Sequence, residues 1–262
     1  MPLSRPIFFL SDFGLEDPYV GIVKAVVHGI APHVSVIDLA HQIPPGNLRR
    51  AAYALYQSVE YLPQGSVVLA VVDPGVGSSR EALIVQAQKH IYVVPNNGLL
   101  SLVPERDPLM RVFQIENPRG HHAGVSRTFH GRDLFAPVAA RLALGAEASQ
   151  FGTEIGLKTT SPYGLSGALA QLPVKLSAGP AGEVLTFDRF GNAITTLRLE
   201  TRRYRFITAG GRRVAIKTHY AEVPVGSPLA YLGSAGLLEI GVNRGSAREL
   251  LRLEEGDAVE LG

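Results

Sequence analysis

The sequence predicts an α/β domain with a mostly parallel sheet flanked by helices, followed by a smaller all-β barrel. Three observations lead there. Apolar bursts alternate with helix-like segments from residue 5 to about 160. Beyond that point the helical rhythm stops and short β-type runs follow one another. The chain, at 262 residues and 46% hydrophobic, is long and apolar enough to bury a core under both parts. The boundary is placed between 163 and 164, because SPYGLSG (161–167) is rich in turn formers and reads as a linker.

In the first part, PIFFL (6–10) reads as a buried strand and Tyr19 to Ile30 as a helix. VSVIDL (34–39) is a second strand. Asn47 to Tyr61 has helical spacing through Leu48, Ala52, Leu55 and Val59. SVVLAVV (66–72) is apolar on both faces, as only a strand inside a sheet can be. ALIVQA (82–87) and IYVVP (91–95) read as a hairpin, and Asp133 to Leu144 as a helix. Strand and helix in alternation give a parallel sheet covered on both faces. In the second part EVLTFD, AITTLR, YRFITA, RRVAIKT, PLAYLG, LLEIGV and DAVELG are strands between Gly, Asn or Pro turns, the pattern of a small barrel or sandwich.

Composition excludes several functions. The net charge is +2 with both signs mixed along the chain, which gives nucleic-acid binding no support. No apolar run approaches a membrane span, and Ile7 to Leu10 is too short for a signal peptide. The absence of cysteine removes disulfides, thiol nucleophiles and Cys-based zinc sites, in keeping with the cytoplasm. The eight His are scattered and no H-x-x-x-H or H-E-x-x-H occurs, so no metal is expected. DPGVGS lacks the G-K-[ST] ending of a phosphate loop, and the G-x-G-x-x-G spacing of dinucleotide folds is missing, which disfavours ATP, NAD and methyltransferase readings.

Ligands of open α/β sheets sit at the carboxyl ends of strands. Three strand ends carry polar residues: Asp12 after PIFFLS, Asp73 after SVVLAVV, and Asn96-Asn97-Gly98 after IYVVP. Each is also an ordinary turn former; the repetition is what suggests a site. D-F-G at 12–14 is no kinase motif, since neither a Gly-rich loop nor an H-R-D segment accompanies it. In VVDPGVGSSR the carboxylate of Asp73 and the guanidinium of Arg80 stand seven residues apart around a glycine corner. In TFHGRDLFAP (128–137), His130 precedes a helix and Asp133 sits near its start, where it serves equally as a cap. His121-His122 reads as a polar loop. In the β part, FDRFGNAITT brings Asp188, Phe190 and Asn192 to one turn, and SAGLLEIGVN presents Ser234 and Glu239 around Gly236. Either stretch is also a plain strand–turn–strand unit. An aromatic, an amide and a carboxylate in β-domain loops suit a flat base and an amino-acid end.

SDFG, VDPGVGSSR, PNNGLLS, TFHGRDLFAP, FDRFGN and SAGLLEIGVN occur in that order, and the set resembles the S-adenosyl-L-methionine (SAM) hydroxide adenosyltransferases, adenosine-forming SAM hydrolases related to fluorinase and chlorinase. The likeness spans nearly the whole chain. It implies a catalytic set of Asp73, Arg80 and His130 that handles the attacking water. It implies that Asp12 holds the ribose hydroxyls, Asn192 and the backbone of Val242 hold adenine, Ser234 and Glu239 hold the methionine end, and Phe190 packs on the substrate. SAM is then the substrate, with no cofactor and no metal. The resemblance implies a homotrimer whose sites lie between subunits, with neither nucleic acid nor membrane as partner. The halogenating relatives lack the His, so retention of His130 favours hydroxide over halide. A SAM-dependent halogenase, forming a 5′-halo-adenosine, and a non-catalytic SAM or adenosine sensor are the alternatives.

Overall fold

The computed structural model describes residues 4–117, 126–156, 159–160, 169–199 and 204–262. The chain forms two compact units, Met1–Pro173 and Val174–Gly262. The linker expected at 161–167 and the pair His121-His122 lie outside the described residues.

The first unit contains β1 (Ile7–Ser11), α1 (Tyr19–Ile30), β2 (Val36–Ala40), α2 (Leu48–Ser58), β3 (Val67–Val71), β4 (Ala82–Ala87), β5 (Ile91–Pro95), β6 (Leu109–Ile115), α3 (Ala136–Ala143) and β7 (Gly152–Ile155), with the short pair β8 (Thr159–Thr160) and β9 (Leu169–Ala170) after them. Its main sheet runs β2-β1-β3-β5-β4-β6-β7. The strands β2, β1, β3 and β5 are parallel; β4, β6 and β7 continue antiparallel. Alternation along the central strands decides which helix covers which face. Ile7 and Phe9 of β1, with Val67 and Leu69 of β3, pack with Val20, Val23 and Val27 of α1 and with α3. The intervening Leu10, Val68 and Ala70 pack with Ala51 and Leu55 of α2. Asn47 caps α2, its Oδ1 accepting from Arg50 N at 2.8 Å.

The chain leaves β1 for β2 on one side and returns past it to β3 on the other. The carboxyl ends of β1 and β3 therefore flank a topological switch point, where the connections diverge and leave a crevice.

The second unit contains β10 (Ala181–Phe187), β11 (Ala193–Thr195), β12 (Phe206–Ala209), β13 (Arg212–Ala215), β14 (Pro228–Leu232), β15 (Leu238–Val242), α4 (Ala247–Leu251) and β16 (Ala258–Leu261). Its sheet runs β13-β12-β16-β10-β11-β15-β14, antiparallel throughout. Ile216, just after β13, bridges to Ala230 of β14 and brings the two edges together. The expected barrel is the observed one, with Val184, Ile207, Val214, Leu238, Ile240 and Val259 in its core.

Where the expected helix Asp133–Leu144 begins, the chain forms a π-type turn over Gly131–Phe135 before α3. Such a turn inserts a residue into the helical ladder and is common at functional sites. Pro137, one residue inside α3, needs no hydrogen-bond donor there.

Candidate active site

The switch point gathers the charged residues of the first unit. Asp73 follows β3 and Val72. Arg80 wraps its carboxylate: Nε donates to Oδ1 and to Oδ2, each at 2.9 Å, and Nη2 donates to Oδ2. Both side chains are buried, Asp73 to 4% exposure and Arg80 to 9%. A buried pair of this kind holds only if the geometry is good, and losing one partner strands the other charge. Arg80 also lies 5.2 Å from the centre of the Phe135 ring.

His130 reaches this pair from the other segment, its Nδ1 2.8 Å from Arg80 Nη2. A guanidinium has no lone pair to offer, so Nδ1 must accept. The imidazole is thus neutral, with its proton on Nε2. Burial first, and then the Arg80 charge, hold His130 below its ordinary pKa, in agreement.

Two glycines make the meeting possible. A Cβ on Gly77 would lie 2.3 Å from the carbonyl oxygen of Arg127, and its φ is +79°. The Gly-rich corner is therefore pressed backbone to backbone against the segment that delivers His130. A Cβ on Gly131 would lie 2.9 Å from Phe13. Asp133 fixes the same segment, accepting from Ser126 N at 2.9 Å and from Arg132 Nε at 2.6 Å. Its carboxylate is buried and works as a brace for the loop, while no side chain caps the N-terminus of α3.

Asp12 follows β1. Its Oδ2 accepts from Gly46 N at 2.8 Å. Burial raises its pKa above the usual carboxylate range and the negative charge of Asp73 adds to this, which places the two strand ends within electrostatic reach. The third strand end turns out differently. Asn97 Nδ2 donates to the Val72 carbonyl at 2.8 Å, beside Asp73. Asn96 Nδ2 donates to Glu81 at 2.7 Å and its Oδ1 accepts from Ala170 N at 2.8 Å. These amides brace the strand ends, and their polar atoms are turned to the protein.

The second unit has its own cleft, about 670 Å³, lined by Phe190, Asn192, Tyr220, Val242, Asn243, Arg244, Gly245 and Ser246. Three residues expected from the sequence meet there: Phe190 and Asn192 from the β10–β11 turn, and Val242 from the end of β15. Phe190 is 69% exposed, with the Arg189 guanidinium 5.8 Å from the centre of its ring. Asp188 organises the turn, its Oδ1 accepting from Phe190 N and Asn192 N, each at 2.9 Å.

Ser234 and Glu239 are not among the lining residues. Ser234 is exposed in the β14–β15 turn. Glu239 is buried, its Oε2 accepting from Tyr231 at 2.8 Å and its Oε1 filling the space a side chain at Gly233 would need. Sequence reasoning missed Tyr220, Asn243, Arg244 and Ser246. The available signal was Asn243-Arg244-Gly245-Ser246, a turn sequence after a strand, in which Arg244 adopts a left-handed φ of 57°. Among the described residues no group of three or more His, Asp or Glu could hold a metal, and no helix is long and apolar enough to cross a membrane.

An α/β unit with an Asp–Arg–His constellation at its switch point, joined to a β-barrel with an aromatic- and amide-lined cleft, defines a two-domain enzyme architecture. Residues 7–152 match the SAM hydroxide adenosyltransferase N-terminal domain and residues 182–260 the corresponding C-terminal domain. The chain belongs to this family. It is 54% identical to an (R)-S-adenosyl-L-methionine hydrolase of Thermus thermophilus, over 98% of this chain and 99% of that protein. A Salinispora arenicola protein of the same name is 40% identical over 97% of each chain. A fluorinase of Actinopolyspora mzabensis, at 23% identity over 98% of this chain and 97% of its own, is far more distant. Among solved structures, a conserved hypothetical protein from Thermus thermophilus superposes with a TM-score of 0.84 at 53% identity, covering 98% of this chain and 100% of that one.

Proposed function

We propose that the protein hydrolyses SAM to adenosine and L-methionine. The observation that carries this reading is Arg80, held by Asp73 and donating to a neutral His130, in a chain whose full-length relatives bear the name of that activity.

Water attacks C5′ in line with the leaving sulfur. The C–S bond breaks with its electrons returning to sulfur, methionine departs as a neutral thioether, and one proton is released. Water is a weak nucleophile at saturated carbon, so the site has to hold it and share out its charge. Asp73 and His130 take up Nε and Nη2 of Arg80, which fixes the plane of the guanidinium; Nη1 reaches the Glu81 carbonyl at 3.3 Å and has a second hydrogen to give. In this reading that hydrogen and the His130 Nε2–H are donated to the attacking water, and donors of this kind favour hydroxide character as the bond forms. Near-attack positioning contributes up to about 7–11 kcal/mol in ideal cases. Asp73 acts through Arg80. Asp12 is the ribose-hydroxyl carboxylate in this reading. Phe190 and Asn192 take adenine alongside the backbone of Val242. Arg244, the cation among the cleft residues, suits the methionine carboxylate, in addition to Ser234 and Glu239, which the family resemblance assigns to that end. The same reading includes a metal-independent reaction, a homotrimer and a cytoplasmic location; light scattering of the purified protein tests the trimer.

The decisive experiment is incubation with SAM in halide-free ¹⁸O-water, using the separated sulfonium epimers because the relatives are named for the (R) form. Adenosine carrying ¹⁸O at the 5′ oxygen, with methionine in equal amount, is the expected result. Intact SAM at saturating protein overturns the reading, and a 5′-halo-adenosine on adding chloride or fluoride replaces it with halide transfer.

A further inference from the structure

Behind the cleft of the second unit runs a chain of hydroxyls whose proton order decides what the cleft can read. Tyr231 Oη donates to Glu239 Oε2 at 2.8 Å. Burial, first, and the neighbouring Tyr220 and Glu239 hold the Tyr231 phenol far above its ordinary pKa, so its proton stays in place. Having given that proton to Glu239, the Tyr231 oxygen can only accept.

Tyr220 has one hydroxyl proton and two neighbouring acceptors. Tyr231 Oη is 2.7 Å away and Asn192 Oδ1 is 3.1 Å away. Two phenol oxygens at 2.7 Å need a proton between them, and only Tyr220 can supply it. The proton therefore points away from Asn192. The amide of Asn192 cannot compensate by turning over, because its Nδ2 donates to the Asp188 carboxylate at 2.7 Å. Packing fixes the arrangement: a Cβ on Gly241 would lie 2.8 Å from both Asn192 Oδ1 and Tyr220 Oη. Asn192 lines the cleft, and its Oδ1 is thus left as an acceptor to which the Tyr220 proton is not directed.

We propose that Tyr231, oriented by Glu239, is a positioning residue that keeps Asn192 Oδ1 open as a reader of the exocyclic amino group of a purine, so that the cleft selects amino-purine over oxo-purine substrates. The inference rests on the reading that this cleft takes the adenine end of SAM. An amino group supplies the donor that Asn192 lacks. A carbonyl oxygen in its place meets an acceptor, and a site built for a donor rejects an analogue without one strongly. Glu239 so gains a role at one remove from the base, through two phenols.

The test compares hydrolysis of SAM with hydrolysis of its deaminated analogue, which carries a carbonyl oxygen on the purine in place of the amino group. The wild-type protein should prefer SAM by about 100-fold or more in kcat/KM. Tyr231→Phe leaves Asn192 Oδ1 as the protein acceptor beside the Tyr220 hydroxyl, and should cut that preference by about tenfold or more, with the change for SAM in KM rather than kcat. Tyr220→Phe removes the competing donor and should keep the wild-type preference. The double variant Tyr220→Phe/Tyr231→Phe should regain it. Loss of a merely structural hydroxyl would not produce that opposition and rescue. Undiminished preference in Tyr231→Phe, or its loss in Tyr220→Phe, overturns the inference. Should Tyr231→Phe fail to fold in a thermal melt, the Tyr220→Phe result decides alone. A wild-type protein that cleaves SAM and the analogue equally, or cleaves neither, overturns the adenine reading and this inference with it. That failure shows in the wild type, before any variant is made.

Discussion

The Asp73–Arg80–His130 corner and the Phe190–Asn192–Arg244 cleft are built on opposite plans. The corner is a buried knot of charge: its ion pair is nearly sealed from solvent, and every donor of Arg80 but one is committed to the protein. The cleft is an open wall with an aromatic face at 69% exposure. Chemistry at a weak nucleophile needs preorganised charge, which functions only where solvent is excluded. Base recognition needs a flat surface that a ligand can reach and leave. On the proposed function the contrast divides turnover from selection, and it can be tested by breaking each part in turn.

The largest effect is expected at Arg80. Arg80→Ala removes the donors to water and leaves Asp73 buried without its partner, and should lower kcat by on the order of 10²–10⁴-fold. Binding of adenosine, followed by calorimetry, should survive, since the cleft does not draw on Arg80. Loss of both together would erase the division between corner and cleft.

Gly77→Ala comes next. The added Cβ meets Arg127 O at 2.3 Å at a positive φ, so the corner has to move off the His130 segment. Strain of about 1–3 kcal/mol is expected in denaturant unfolding, together with a fall in kcat. Unchanged stability and rate would show that the close approach is not needed.

Phe190→Ala should act on KM. Stacking of a base on an aromatic side chain contributes about 1–3 kcal/mol, so KM for SAM should rise by roughly 5- to 150-fold at nearly constant kcat. A matching fall in kcat would place Phe190 in the chemistry and weaken the comparison.

The smallest effect is a shape in the pH profile. His130 is held below its ordinary value of 6.5 and must be neutral to accept from Arg80. Activity should therefore persist below pH 6.5 and fall only as the pH drops through the depressed value. The stability term has the same sign: the unfolded chain binds the proton first, so the contribution is full above 6.5 and is lost on acidification through the folded pKa. In Arg80→Ala, without the neighbouring cation, the acid limb of residual activity should move upward. An unmoved limb would assign it to another group, for which Asp12 is the candidate.

The strands and helices were legible because burial imposes a period on the sequence. SVVLAVV is apolar on both faces since α1 and α3 cover one and α2 the other. The spacing of Asp73 and Arg80, seven residues apart around glycines, was visible locally, while their meeting with His130 followed from the family resemblance. The cleft was legible only in part. Phe190 and Asn192 share one turn, whereas Tyr220, Asn243, Arg244 and Ser246 come from other loops of the barrel and carry no common motif.

The sequence by itself thus determined the fold class, the elements with a clear burial period, and the family, but not β6, β7 or α4. Tertiary structure alone decided which polar strand ends gather at the switch point. Asp12 and Asp73 do so, while Asn96 and Asn97 turn back to brace the chain, although all four read alike as residues after a strand. It also decided that Glu239 accepts from Tyr231, which in turn accepts from Tyr220. The physical reason is the same in both cases. Periodicity and turn chemistry are set by near neighbours in sequence, whereas the partner of a buried polar group is set by whatever the fold brings within about 3 Å of it.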